Sequence, residues 1–256
     1  GDVFNAYDFV GLTGTKIATL TGIDSLDGGA GKDTLNVISD NTIAAVTATI
    51  SNIETINLES SAVIGGAGAE FDTSTFTGVE TLNATKGTSA YLKAAATTDV
   101  NVSGITGGTA VVEVTGGKTV TVNHKMDSAG DKIDVNGAVN VNVTATDVIN
   151  AGGINVGTAT AVTGTVNVTS TGATIADTTG LKTTAMSTID VIGGTTVTVT
   201  QSANSTSGNA KLADNLGDIV TQGAVTVTAG NATTTVTVKQ DEEVAASAAV
   251  VAAGAN

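Results

Sequence analysis

The residues of this chain that could do chemistry are acidic side chains set among closely spaced glycines. The segment Gly28–Asn36 has the pattern Gly-Gly-x-Gly-x-Asp-x-U-x, in which U is a bulky apolar residue, here Leu35. The glycines permit a turn whose backbone carbonyls can face an ion, and Asp33 supplies a carboxylate. Hard cations such as Ca²⁺ take roughly six to eight oxygen ligands, so several groups must converge. The expected ligands are Asp24, Asp27, Gly29, Gly31 and Asp33.

A near copy of this pattern lies at Gly65–Asp72. Glu70 stands where the first copy has its aspartate, and Asp72 takes the apolar position. We expect the turn to survive and its coordination of Ca²⁺ through Glu70 and Asp72 to be weaker or rearranged. A third acidic segment, Asp127–Asp134, lacks the spacing and the terminal glutamate of an EF-hand, and we interpret it as a solvated loop.

The composition indicates the elements that position these turns. The chain has 256 residues with 32 Gly and no Pro, Cys or Trp, and much of the remainder is Thr, Val, Ala, Asn and Ile. Val, Ile and Thr favour strands, because branched side chains fit a pleated surface. Gly and Asn provide the positive-φ turns between strands. The sequence therefore predicts an all-β protein with many short strands.

The charge excludes several functional classes. The formal net charge is −14, and all 10 basic residues are lysines, so the chain repels phosphate backbones and we expect no nucleic-acid partner. No apolar run approaches the roughly 20 residues of a spanning helix, and we expect no membrane span. His124 is the single histidine; we expect it at an exposed turn or strand end, and it supports no catalytic constellation. We expect the protein not to be an enzyme.

A degenerate repeat indicates how the strands are arranged. Ile53–Leu58 recurs as Val79–Ala84, and alternating Val-x-Val segments follow. Strands this short cannot bury an apolar face alone, whereas stacking one per repeat of about 20 residues buries a continuous interior. The alternation predicts that the valines point inward and stack in columns, while Asn and Thr point outward. We expect a parallel β-helix or β-roll solenoid; the alternative is an array of β-sandwiches. The alternating segments are Val100–Val102, Val120–Val122, Val139–Val143, Val166–Val168, Val197–Val199 and Val225–Val227, with fainter strands at Val111–Val114, Ile133–Val135, Ile154–Val156, Ile189–Ile192 and Val236–Val238.

Three regions follow from these patterns. Residues 1–85 are expected to form a calcium-binding β-roll region, and residues 86–240 the rungs of a β-helix. Residues 241–256 open with three acids and continue rich in alanine, which predicts a short helix, a cap or a frayed tail.

The N-terminal motifs resemble a known family. The block Asp2–Ala6 and the segment Ile23–Val37 are similar to the start of the calcium-binding repeat region of RTX-type bacterial surface-layer (S-layer) proteins. The segments Ile53–Leu58 and Val79–Asn83 resemble the strands that follow this region in such proteins. The resemblance implies a fold of β-rolls and β-helices, type I export from a Gram-negative bacterium and Ca²⁺-dependent assembly on the cell surface.

The expected function is that of a secreted structural component, a calcium-stabilised module of a self-assembling surface lattice. Its expected partner is a second copy of itself, with outer-membrane lipopolysaccharide as a further partner through another region. The stalk of an RTX adhesin is an alternative that shares the solenoid and the calcium. A polysaccharide-active β-helix enzyme is the least favoured, because without Arg and Trp the chain lacks the usual groups for clamping carboxylates and stacking on sugars.

Overall fold

The computed structural model describes residues 1–10, 14, 16–149, 152–174, 182–206 and 218–245. These residues form strands joined by turns and bends, and none of them lies in a helix. The prediction of an all-β chain is therefore confirmed for the part of the chain that the structure describes.

Two large sheets contain most of the strands. The ten-stranded sheet consists, in spatial order, of β1 (Val3–Tyr7), β5 (Thr34–Ser39), β7 (Thr55–Ser60), β10 (Thr81–Lys86), β12 (Asp99–Val102), β14 (Thr119–Lys125), β16 (Asn140–Val148), β18 (Thr165–Gly172), β21 (Thr196–Thr206) and β24 (Thr235–Ala245). The eight-stranded sheet consists of β23 (Val225–Thr228), β20 (Ile189–Ile192), β17 (Ile154–Val156), β15 (Lys132–Asn136), β13 (Val111–Gly116), β11 (Ser89–Ala94) and β8 (Val63–Ile64), with β9 (Phe71–Asp72) also pairing β11.

Three pairs of short strands complete the structure. They are β2 (Phe9–Val10) with β3 (Lys16–Ile17), β4 (Ser25–Asp27) with β6 (Thr49–Ser51), and β19 (Thr183–Ala185) with β22 (Ile219–Thr221). Among the described strand pairs, only β2–β3 is antiparallel. β-Sandwiches are built from antiparallel sheets, so the parallel pairing of all the other described strands does not fit the alternative fold.

The chain alternates between the two large sheets from β10 to β18. Each even-numbered strand in this stretch joins the ten-stranded sheet, and each odd-numbered strand joins the eight-stranded sheet. The buried apolar side chains of both sheets belong to one core. Parallel strands joined by such crossovers are compatible with the expected β-helix or β-roll.

Valines stack in register along the inner side of the ten-stranded sheet, as the alternation predicted. Each valine of this first column pairs with its equivalent on the neighbouring strand and is fully buried. We call these residues the valine column; they are Val100, Val120, Val141, Val166 and Val197. A second column, two residues further along each strand, contains Val102, Val122, Val143, Val168 and Val199.

The structure gives several segments a place that the alternating pattern did not specify or that differs from the expectation. Val225–Val227 lies in the eight-stranded sheet, where Val225 pairs with Ile189, and Val236–Val238 continues the valine columns instead. Val139 precedes β16 and is only half-buried. Residues 241–245, expected to begin a helix, cap or tail, continue strand β24, and the rest of that region lies outside the described residues.

Asparagines also stack on the outer side of the ten-stranded sheet. The Nδ2 of each asparagine after the first donates to the Oδ1 of the asparagine on the preceding strand, at 2.8 to 2.9 Å. We call this run the asparagine ladder; it consists of Asn5, Asn36, Asn57, Asn83 and Asn101. Such amide ladders satisfy the side chains of adjacent layers and fix the register of the strands.

Candidate metal site

Acidic residues stack in register at the point where four strands of the ten-stranded sheet begin. The backbone amide of Thr34 donates to the carbonyl oxygen of Asp2. In the same way, the amide of Thr55 donates to Asp33, and the amide of Thr81 donates to Glu54. We call these residues the acidic stack; they are Asp2, Asp33, Glu54 and Glu80. Like charges on directly neighbouring strands repel one another.

Asp33 is the buried member of the acidic stack, with 1 % of its surface exposed. Its Oδ1 accepts a hydrogen bond from the backbone amide of Asp2. Its own backbone amide donates to Oε2 of Glu54 at 2.7 Å. The second carboxylate oxygen, Oδ2, is buried and has no hydrogen-bond donor among the described residues. A buried carboxylate oxygen without a donor is costly, and a bound cation would remove that cost.

The backbone crowds Asp33 at Gly28. A Cβ placed on Gly28 would lie 2.8 Å from Cβ and 2.9 Å from Cγ of Asp33, and it would also clash with the carbonyl oxygen of Asn52. Only glycine fits there, and its lack of a side chain lets a backbone carbonyl and a carboxylate approach the same point. Asn52 itself has a positive φ of 53°. A carbonyl oxygen beside a carboxylate is the type of ligand pair that Ca²⁺ prefers.

Two further predicted ligands are glycines in the same turn. Gly29 and Gly31 have positive φ values of 73° and 129°, which glycine adopts most readily. A Cβ on Gly31 would lie 3.9 Å from Oδ2 of Asp33, so this residue adjoins the oxygen that lacks a donor. The amide of Gly29 donates to Asp27 at 3.0 Å.

The upstream aspartates are held by the protein itself. Oδ1 of Asp27 accepts hydrogen bonds from Asn52 at 2.8 Å and from Gly29. Both bonds lower the pKa of Asp27, and the bond from Asn52 has the larger effect. Oδ2 of Asp24 accepts from the amide of Thr21 at 2.6 Å and caps that turn. In the described part of the chain, no group of three or more Asp, Glu, His or Cys side chains is arranged to hold a metal ion. A cation beside Asp33 would therefore need backbone carbonyls as ligands.

The second glycine-rich turn occupies a different place in the fold. It lies between β8 and β9, which pair with successive halves of β11 in the eight-stranded sheet. Gly65 has φ 68°, and a Cβ there would clash with the carbonyl oxygen of Tyr91. The two glycine patterns are thus similar in sequence, but they do not occupy equivalent positions.

Asp72 in this second turn already has a positive partner. Its Oδ2 lies 2.8 Å from Nζ of Lys93, and its Oδ1 accepts from the amide of Ser74 at 2.8 Å. Burial opposes the charged carboxylate, but the bonds from Lys93 and Ser74 outweigh it and lower the pKa of Asp72. Glu70 is half-buried, and its charge helps to raise the pKa of Lys93, after the larger effect of Asp72.

The segment Asp127–Asp134 is less solvated than expected. Asp131 is 1 % exposed, and its carboxylate accepts from the backbone amides of Ala110 at 2.7 Å and Ser128 at 3.0 Å. These bonds give Asp131 a structural role as the cap of a turn. His124, expected at an exposed position, is 4 % exposed, and burial lowers its pKa.

The sequence analysis missed Asp2, Glu54 and Glu80 as members of the same stack as Asp33. The signal was present, because each precedes a strand at the equivalent position: Asp33-Thr34 matches Glu54-Thr55 and Glu80-Thr81. Register was the missing information, since only strand pairing shows that these acids are stacked.

Comparison of the sequence with models of known protein families and with curated proteins gives no match. In the part of the chain that the structure describes, no helix is long and apolar enough to cross a membrane.

Proposed function

We propose that this chain is a β-solenoid segment of a secreted structural protein, stabilised by Ca²⁺ and assembled into a lattice on the surface of a Gram-negative bacterium. The solenoid is supported by the alternation of successive strands between two parallel sheets around one core. In this arrangement each turn of the coil adds one strand to each sheet and stacks on the turn before it.

The observation that carries the calcium proposal is Oδ2 of Asp33, a buried carboxylate oxygen that has no donor among the described residues. It lies in the acidic stack, where Lys32 contacts Glu80 at 2.5 Å. Ca²⁺ would bind Asp33 together with carbonyl oxygens of the glycine turn. Asp24 and Asp27, the other carboxylates expected as ligands, already accept hydrogen bonds within the chain. Glu70 and Asp72 form the weaker second site, because Lys93 already neutralises Asp72.

The lattice role rests on the regular stack of turns and on the resemblance of residues 1–85 to RTX-type surface-layer proteins. A stack of equivalent strands is stiff and elongated, as a building block of an array must be. The proposed partner is a second copy of the chain, and lipopolysaccharide would be bound through another region. We propose no catalytic activity, since the chain has a single histidine, which is 4 % exposed, and no Arg or Trp.

Electron microscopy of the purified chain tests this function directly. We expect ordered arrays in millimolar Ca²⁺ that disperse in chelator. The Asp33→Asn variant should need more Ca²⁺ to assemble, while Asp190→Asn, a matched control on β20 outside both glycine turns, should assemble like the wild type. A chain that stays monomeric at every Ca²⁺ concentration contradicts the lattice. A monodisperse chain that binds cells or glycans would support the adhesin stalk instead.

A further inference from the structure

A third column of inward-facing residues lies beside the two valine columns, and most of its members are polar. It occupies the next inward position on β14, β16, β18 and β21, where the strand pairs keep their register. Its members are His124, Ala145, Ser170 and Gln201, and all four are buried. Polar groups inside a core are costly unless they form hydrogen bonds, so the partners of this column matter.

The side chain of Gln201 forms its hydrogen bonds across the core. Its Nε2 donates to the backbone carbonyl of Ser187 at 3.1 Å, and its Oε1 accepts from Nε2 of Gln240 at 2.8 Å. Ser187 lies two residues before β20, a strand of the eight-stranded sheet. The amide of Gln201 thus connects the two sheets and brings Ser187 to the polar end of the third column. Nε2 of a glutamine can donate twice, so the same group can serve a further acceptor.

Two serine hydroxyls beside Gln201 have no hydrogen-bond partner in the described part of the chain. They are Oγ of Ser170, which pairs with Gln201 in register on the neighbouring strand, and Oγ of Ser187. Both residues are buried, with 0 % and 4 % of their surface exposed. A hydroxyl can donate once and accept twice, and leaving it unpaired in the interior costs free energy.

Small residues surround Ser170 inside the core. Ala145 precedes it in the third column, and Gly172 follows it at the next inward position of β18. Both are smaller than the valines at the earlier inward positions of the same strand. A Cβ on Gly172 would lie 3.2 Å from Sδ of Met186, so the segment that contains Ser187 packs against this end of β18. The two hydroxyls therefore lie in a part of the core with less side-chain volume than the valine columns.

We propose that Ser170, Ser187 and Gln201 bind one water molecule inside the solenoid. Water both donates and accepts, and a buried water typically forms about three hydrogen bonds to groups that would otherwise be unpaired. The three side chains are neutral, so they do not offer the carboxylates that Ca²⁺ prefers. An apolar occupant would leave both hydroxyls unpaired. This inference is independent of the calcium site at Asp33 and of the lattice.

Magnetic relaxation dispersion of the water nuclei tests the proposal, because it counts the long-lived waters of a protein in solution. We expect Ser170→Ala and Ser187→Ala each to lose one such water relative to the wild type. The matched control is Thr169→Ala, at an exposed neighbouring position of β18, which should keep the wild-type number. A high-resolution crystal structure should show this water within hydrogen-bond distance of both hydroxyls. Far-UV circular dichroism identifies the variants that remain folded.

Melting temperatures provide a second measurement. Each serine variant should melt about 2–4 °C below the wild type, because it leaves the other hydroxyl without its water. The shift of the double variant should be smaller than the sum of the two single shifts, since one water serves both serines.

Three outcomes would overturn the proposal. The first is a wild-type number of long-lived waters in both folded serine variants. The second is a melting temperature of both variants at or above that of the wild type, as expected when an unpaired hydroxyl is removed from a dry core. The third is a crystal structure in which the two hydroxyls bond directly to one another.

Discussion

Two stacks of like residues share the ten-stranded sheet and differ in what they require. The valine column lies inside the sheet, where every member is fully buried. The acidic stack lies where the strands begin, and its members range from the buried Asp33 to the exposed Asp2 and Glu80. In both stacks, the parallel register places each residue next to one of the same kind on the neighbouring strand. Valine on valine excludes water and needs no partner, whereas carboxylate on carboxylate needs a counter-charge.

The comparison teaches that a repeated sequence does not stabilise a repeated structure by itself. The same register that adds apolar contacts for each valine adds repulsion for each acid. Lys32 balances Glu80, but Asp33 keeps an oxygen without a donor in the described structure. The predictions below test whether the two regions depend on different forces.

The largest effect is expected from a charge inside the second valine column. Val122→Asp would bury a carboxylate without a partner at a position that is 0 % exposed. We expect a loss of about 3–5 kcal/mol in the free energy of unfolding, measured by urea denaturation. The control is Thr121→Asp, whose side chain faces outward on the same strand, and it should cost far less. Equal stability of the two variants would show that the buried face is assigned wrongly.

Calcium removal should affect the acidic stack and spare the valine column. At ten to a hundred times the dissociation constant, one bound ion contributes about 1.4–2.7 kcal/mol. Hydrogen exchange in chelator should therefore be faster over residues 24–40, while the strands from about residue 100 onward keep their protection. Asp33→Asn should remove most of this difference. Equal protection of residues 24–40 with and without Ca²⁺ would mean that the motif is only a glycine turn.

Acid should weaken the core beside the valine column through His124. Burial lowers the pKa of this imidazole below its ordinary value of 6.5, so the unfolded chain takes up the proton first. The stability that His124 contributes is complete above pH 6.5 and is lost as the pH falls through the folded pKa of the imidazole. The free energy of unfolding should fall by no more than about 1.4 kcal/mol for each pH unit.

The measurement is the free energy of unfolding at several pH values between 5 and 7.5, compared with that of His124→Gln. The variant should have a flatter profile in this range, because it lacks the titrating imidazole. Glu113, whose pKa is raised by burial and then by Asp134, titrates in both proteins and cancels in the comparison. Parallel profiles for the two proteins would exclude His124 as the cause.

The smallest effect is expected from the asparagine ladder, a stack of like residues that satisfies itself. Asn57→Ala removes two amide bonds, those to Asn36 and Asn83, and should cost about 1–2 kcal/mol. Asn101→Ala removes only its bond to Asn83, so its cost should be about half as large. Both are measured by urea denaturation. A larger cost for Asn101 would show that the ladder bonds do not determine these energies.

The sequence predicted the positions of the strands better than it predicted which strands pair with one another. Val-x-Val alternation correctly identified the buried positions of β12, β14 and β18, because period-two burial is a local property. The same pattern occurs in both sheets, so it does not reveal that Val225–Val227 belongs to the eight-stranded sheet. Pairing depends on the lengths of the connections, which local pattern does not reveal.

The candidate site was predicted in part for the same reason. Asp33 and its glycines followed from a contiguous motif, and the structure places Gly28 and Gly31 against Asp33. Glu54 bonds to Asp33 from the neighbouring strand, 21 residues away, so its place in the site could be predicted only from the register of the strands. The neutralisation of Asp72 by Lys93 likewise joins residues that are 21 positions apart.

The separation between hydrogen-bonded partners in the ten-stranded sheet is far from constant. It is 18 residues for Asn83 and Asn101 but 39 for Gln201 and Gln240. The strands remain in register while the connections between them lengthen, so new segments can be inserted there without disturbing the core. The exposed turn at Asn231 and Ala232, between β23 and β24, is therefore where an engineer should insert an epitope or enzyme for display.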